Sequence, residues 1–321
     1  MAEARAVFLQ GNLFRHISVM ALTSSVGLMA VFAVDFIDMI FISMLGNAEL
    51  AAAVGYAGAI LFFTTSFGIG MAIAAGALVA RALGQDDEEL AKAQAAASLV
   101  WGVVFGVLFA AAVWINITSL ASLMGATGET LELAVHYLQI IVPSLPFLIV
   151  GMVGGAILRA HGDARRAMMA TIWGALVNAA LDPVLIFGLG LDLTGAALAS
   201  VAARLVIAGT ALIPIFRHHG GLVRPDIPEL SVALPPIVTI AAPAILTQLA
   251  SPLGQAVVTR AMAGFGEAAV AGMAIVARMT PVAFGVIFAL SGAIGPVIGQ
   301  NFGAGRMDRV RRAYRNGRVF C

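Results

Sequence analysis

Apolar residues along this chain come in long unbroken runs, and the polar residues gather between them. The runs predict eight spans, at about 17–44, 52–81, 94–115, 131–158, 167–189, 194–216, 234–261 and 268–299, each long enough to cross a bilayer as a helix. None shows the apolar/polar alternation of a membrane barrel. The charged connections read GQDDEELAKA, RAHGDARR, FRHHGGLVRPDIPEL and GAGRMDRVRRAYRNGR. Between them lie LGNAEL, MGATGET and GLGLD, which hold no Lys or Arg.

Basic residues therefore recur at every second connection, which is the positive-inside pattern. Arg5 and Arg15 place the N-terminus in the cytoplasm. An even number of spans returns Arg306, Arg309, Arg311, Arg312, Arg315 and Arg318 to the same side. Arg260, near the outer end of span seven, departs from the rule. Because topology accounts for the basic tail, nucleic acid is not an expected partner.

Composition gives the same class. Mean hydropathy is +0.99, and only 11% of residues are charged, against about 25% in a soluble domain. The expectation is an all-α polytopic protein of the cell membrane. Cys321 is the only cysteine, so no disulfide or thiolate metal centre forms within one chain. The first apolar run is too long for a cleaved signal peptide and reads as a retained helix.

A shift of 220 residues lays span one over span seven, with Ile17 on Ile237, Ala21 on Ala241 and Gly46 on Gly266. With one residue dropped, Gly76 falls on Gly295 and Gly84 on Gly303. Repeated halves are a mark of secondary transporters. The units predicted are an N-terminal six-helix lobe at 1–216, a linker at 217–233, and a second lobe at 234–321 of which two helices and a basic tail are present.

The acids inside the spans are the candidate chemistry. Asp35 and Asp38 lie in LMAVFAVDFIDMIFISMLG, where a carboxylate costs roughly 2.5–3.5 kcal/mol to insert. They stand about 60° apart around a helix, so both are able to face the lobe interior. In span five, LVNAALDPVLIFGLG puts Asn178 and Asp182 on one face, and Pro183 takes a hydrogen-bond donor from the turn before it. A carboxylate, an amide and a loosened backbone suit a cation or proton site; a polar contact that only holds the bundle is the plainer reading. Arg204 and Arg278 are the remaining charges within spans, each open to an acid partner or to snorkelling. His136 reads as structural. No HExxH or GxSxG occurs, so no enzymatic activity is expected.

Four stretches, in order, resemble the multidrug and toxic compound extrusion (MATE) transporters: IDMIFISMLGNAELAAAVG, HYLQIIVPSLPF through ILRAHGDARRAMM, NAALDPVLIFGLGLDLTGAALAS, and IGQNFGAGRMDRVRRA. The resemblance covers nearly the whole chain. It implies a fold of two six-helix lobes around a cavity that opens alternately to each side, here with the first lobe complete and helices nine to twelve missing. The activity implied is antiport: amphipathic, often cationic, organic compounds leave in exchange for H⁺ or Na⁺, with no other cofactor and with the full-length form a monomer among membrane lipids. By the same resemblance Asp38 matches the acid of the first helix, and Asn178 and Asp182 match the pair of the fifth. Ser200 stands where a sixth-helix Thr is usual. These matches point to the cation site of the DinF-like branch. Asp35 replaces a frequent Asn and adds an acid, coupled in charge to the others. Without a closed second bundle, this chain alone is expected not to transport. The alternatives are a flippase for lipid-linked sugars and a remnant that no longer transports.

Overall fold

The structure, a computed structural model, describes residues 6–263, 265, 276 and 283–320. Helices α1 (Leu13–Met44), α2 (Ala48–Gly84) and α3 (Glu88–Ile115) each begin where a side-chain oxygen caps the first turn. Asn12 accepts from the backbone N–H of Phe14 and Arg15, Asn47 from Glu49 and Asp87 from Leu90, so donors that a helix start leaves free are paired. These caps lie several residues outside the apolar runs, and the helices are longer than hydropathy suggests. Helix α2 has 37 residues and is about 55 Å long, well beyond the ~30 Å of hydrocarbon it has to cross.

The fourth span, α4 (Gly128–Ala160), is broken at its middle by a 3-10 turn, Val142–Ser144. Pro143 and Pro146 have no N–H to give the carbonyls of Gln139 and Val142. Trp114 Nε1 donates to the Gln139 oxygen at 3.3 Å, and the Leu145 N–H closes on Val142. Arg204 Nη1 donates to the Ile141 carbonyl at 3.0 Å and to Ser144 Oγ at 2.9 Å. Its guanidinium thus serves backbone exposed by the kink, which neither of the two roles considered from sequence had included. The need is physical: hydrocarbon has no water to satisfy a freed carbonyl.

Helix α5 (Ala164–Pro183) runs on into a wide π turn, Val184–Gly188, closed by the Leu189 N–H on the Val184 oxygen at 2.9 Å. Helix α6 (Asp192–His218) follows, then α7 (Ile227–Ala263), α8 (Gly285–Gly303) and α9 (Met307–Phe320). Eight helices among the described residues are long and apolar enough to cross a membrane. Part of the eighth predicted span, with Arg278, lies outside the described residues, as does the side chain of Arg260. Helix α4 sits centrally against α2, α3, α5 and α6, whereas α7 lies along α2, and α8 packs on α1 and α2. Leu108, Ile213 and Val257 are among the large apolar side chains left facing outward, as a lipid environment allows.

At the arginine-rich end, Asp163 caps α5 through the Arg166 N–H at 3.2 Å. Its carboxylate also accepts from His219 Nε2 at 3.1 Å and pairs with the Arg166 guanidinium. Burial pushes this carboxyl up, but the bonds from His219 and Arg166 outweigh it and hold the group down at about 2. The ring of His161 lies 4.6 Å from that of His219, and burial lowers His161 below the usual imidazole value.

Candidate cation site

Near the Arg-poor end, α1, α4, α5 and α6 converge. Helix α5 brings two of the polar side chains on one face: Asn178 Nδ2 donates to Asp182 Oδ2 at 3.3 Å. Asp182 is 0% exposed, and its other oxygen is buried with no hydrogen-bond partner. Close backbone packing holds this segment in place. A Cβ on Gly195 of α6 would come within 2.7 Å of the Leu185 carbonyl carbon, so glycine there lets α6 touch the π turn that follows Asp182.

Helix α1 supplies the opposing acid. Phe41, one turn beyond Asp38, stacks edge-to-face on Phe187 of the π turn with ring centres 5.9 Å apart. That contact fixes how α1 meets α5. Asp38 is half-buried, one of its oxygens is buried and unpartnered, and its carboxyl lies within hydrogen-bonding reach of that of Asp182. Two carboxylates have only acceptors between them. Such a contact is favourable only when a proton or a cation stands in it.

Asp35 takes a different position. It is exposed and lies within reach of the charge of Asp38. Three residues along a helix turn the side chain by about 60°; Asp38 falls in direction between the buried neighbours Val34 and Ile42, whereas the side chain of Asp35 is exposed. Ser200 of α6 is half-buried and lies close to the hydroxyl of Tyr137.

Tyr137 is the member that the sequence did not single out. Buried on α4, it lies near Ser200, Asp38, Asp182 and Arg204 together. The signal available was slight: a tyrosine, one of three in the chain, on the inner face of a span. Its neighbour His136 points away and meets Thr194 Oγ1 at 2.8 Å, a tie between α4 and α6. Asp38, Asp182, Asn178, Tyr137 and Ser200 make a set of hard oxygen groups with two acids at its centre. Oxygen donors of this kind suit a proton or a small hard cation.

The MatE family model matches residues 24–184 and 243–321. Over 300 residues the chain is 31% identical to the FAD transporter of Shewanella oneidensis, covering 92% of this chain and 66% of that protein. It is 26% identical over 312 residues to the multidrug export protein MepA of Staphylococcus aureus, covering 95% and 69%. Among solved structures, a MOP-superfamily transporter from Pyrococcus furiosus superposes with a TM-score of 0.89 at 27% identity, covering 97% of this chain and 70% of that one. An outward-facing multidrug resistance transporter of the same superfamily superposes with a TM-score of 0.89 at 25% identity, covering 99% and 70%. The chain thus spans about two thirds of the length of the relatives it matches.

Proposed function

This chain belongs to the MatE family of membrane transporters, and on that premise we propose that its first six helices carry the coupling-ion site of a multidrug antiporter. Asp38 and Asp182 share the ion, H⁺ or Na⁺. Asn178 orients Asp182, and Tyr137 and Ser200 complete the shell. With the ion bound, the carboxyls attract a common positive charge; without it, two buried negative charges face each other in a poor dielectric. That difference is what biases the helices between two packings, because a ligand shifts an equilibrium only through unequal affinity for its states. An amphipathic organic cation drawn to the same negative field, with Asp35 at its margin, then leaves as the ion enters. The arginine-rich end faces the cytoplasm, and both ends of the chain lie on that side of the cell membrane.

A single observation carries this reading: Asp38 and Asp182 meet with one buried, unpartnered oxygen each. A purely structural contact would have supplied a donor. The similarity to a FAD transporter favours a second reading of the cargo, in which an aromatic dinucleotide uses the same cavity and the same coupling site.

Carbodiimide labelling tests the pair. A hydrophobic carbodiimide modifies a buried carboxyl only while it is protonated. Peptide mapping of the labelled protein in nanodiscs is expected to find the adduct at Asp38 or Asp182, with a yield that falls as the buffer becomes alkaline. Absence of the adduct at every pH, or equal labelling of the Asp38→Asn/Asp182→Asn double variant, would overturn the assignment.

A further inference from the structure

Residues 6–11, ahead of α1, do not trail away from the bundle. They form a short 3-10 turn, Val7–Leu9, set into the arginine-rich end. Phe8 is 2% exposed; it packs with Ile17 of α1, Ala164 of α5 and Val297 of α8, its ring edge-on to His16. The Phe8 N–H donates to Gln300 Oε1 at 2.8 Å, and the Phe8 carbonyl accepts from Asn301 Nδ2 at 3.1 Å and Arg309 Nη2 at 3.0 Å. Arg306 Nη1 donates to the Leu9 carbonyl at 2.9 Å, and Arg309 Nε to Asn301 Oδ1 at 2.9 Å.

Gln300 uses both halves of its amide on different elements. While Oε1 holds Phe8, Nε2 donates to the carbonyl of Ala160, the last residue of α4, at 2.8 Å. Gln300 and Asn301 are both 0% exposed. Helix packing alone does not require a fully buried glutamine, and leaving such an amide unpaired is costly. One side chain of α8 therefore ties the start of α1 and the end of α4 to the eighth helix. If α8 separates from α1 and α4, the tie has to break, because the turn at Phe8 is continuous with α1.

We propose that Gln300, with Phe8 and Asn301, is the bolt that keeps the arginine-rich end of the bundle closed, and that its release is the step by which this end opens. Its meaning for transport rests on the alternating-access reading above; the closure does not depend on it. The N-terminal turn is then a working part of the gate. Opening wets Phe8 and exchanges the buried bonds for bonds to water, so the closed state is favoured until a ligand of the open state compensates.

Hydrogen exchange of the 321-residue chain in nanodiscs tests the bolt, because it registers rare openings. The informative amides are those of residues 81–85, at the end of α2. Gly84 meets the Gln300 backbone, whereas the residue 6–9 turn makes its bonds to α8, to α9 and to Arg306 between them. Gln300→Ala is expected to speed exchange at 81–85 at least tenfold, in line with the loss of two bonds of about 1 kcal/mol each. Deleting residues 2–9 is expected to do the same from a distance, and the combination to exceed the larger single effect by less than threefold. Exchange in the middle of α3 is expected to stay unchanged, which shows that the lobe is still folded. Should Gln300→Ala misfold, Arg309→Gln keeps the buried amide and is expected to act in the same direction by a smaller factor. Unchanged exchange at 81–85 in the deletion and in Arg309→Gln would overturn the proposal. The carbodiimide result bears only on the carboxyl pair, so the two proposals fail separately.

Discussion

Gly84 and Gly303 stand in equivalent places in the gate. A Cβ on Gly84 would lie 2.0 Å from the carbonyl oxygen of Gln300, and one on Gly303 would lie 2.1 Å from that of Arg81. The same shift in sequence relates Gly84 to Gly303 and Arg81 to Gln300. The ends of α2 and α8 thus cross about an approximate twofold axis, backbone against backbone, at the point where two similar helix–glycine–helix units meet. No side chain fits at either glycine without moving the helices apart.

Gly84→Ala and Gly303→Ala are each expected to destabilise the closed end by about 1–3 kcal/mol, the usual range for overpacking. Their effects are expected not to add, because the first substitution already separates the helices that the second would push. Cross-linking between Gln85→Cys and Ala304→Cys, in a Cys321→Ser background, measures this. Each alanine should slow the reaction, and the pair should slow it little further.

Asp38→Asn is expected to stabilise the fold in alkaline buffer, by about 1–2 kcal/mol. It replaces one of two facing carboxylates by an amide that donates to Asp182. The gain is expected to fade in acid, where a proton already bridges the wild-type pair. Thermal unfolding across pH reads this directly. A buried acid whose removal stabilises the protein is held for function rather than for folding.

Arg204→Met leaves the Ile141 carbonyl and Ser144 without the guanidinium and is expected to lower stability by about 1–3 kcal/mol. Arg204→Lys, with one donor group of similar reach, should recover part of the loss. Denaturation midpoints of the two variants in the same detergent give the comparison.

Asp163 predicts a separate pH dependence at the arginine-rich end. Its carboxyl is held at about 2 when folded, against about 3.9 in an unfolded chain. A depressed carboxyl contributes stability above the unfolded value, and that contribution disappears as pH falls from about 4 through about 2. Asp163→Asn should therefore cost about 1 kcal/mol near neutrality, after allowing for solvent screening, and nothing below about pH 2. Unfolding curves of both proteins should converge in acid.

Much of the architecture was legible because a bilayer imposes a length. Runs of about 20 apolar residues and alternate basic loops leave few other solutions. The Asn178 and Asp182 pair was legible for a similar reason, since a spacing of four fixes a shared helix face. Asp35 and Asp38 were not separable in the same way: a 60° difference is settled by where α1 packs, and periodicity does not say that. Tyr137 looks from sequence like any aromatic on an inner face. Gln300 and Asn301 were read only as part of the stretch IGQNFGAGRMDRVRRA, because the bonds that tie them to Phe8 and Ala160 reach backbone atoms about 140 to 300 residues away, which no local pattern encodes. Helix starts were placed late wherever a polar cap extended the helix into water, as at Asn47 and Asp87.

The most direct test of the account is the infrared carboxyl C=O band of the purified chain, recorded as a difference between acid and alkaline buffer. The account predicts a buried, protonated-carboxyl band in acid that is lost in alkali, altered in Asp38→Asn and in Asp182→Asn, and absent from the double variant. The same band surviving unchanged in the double variant would contradict it.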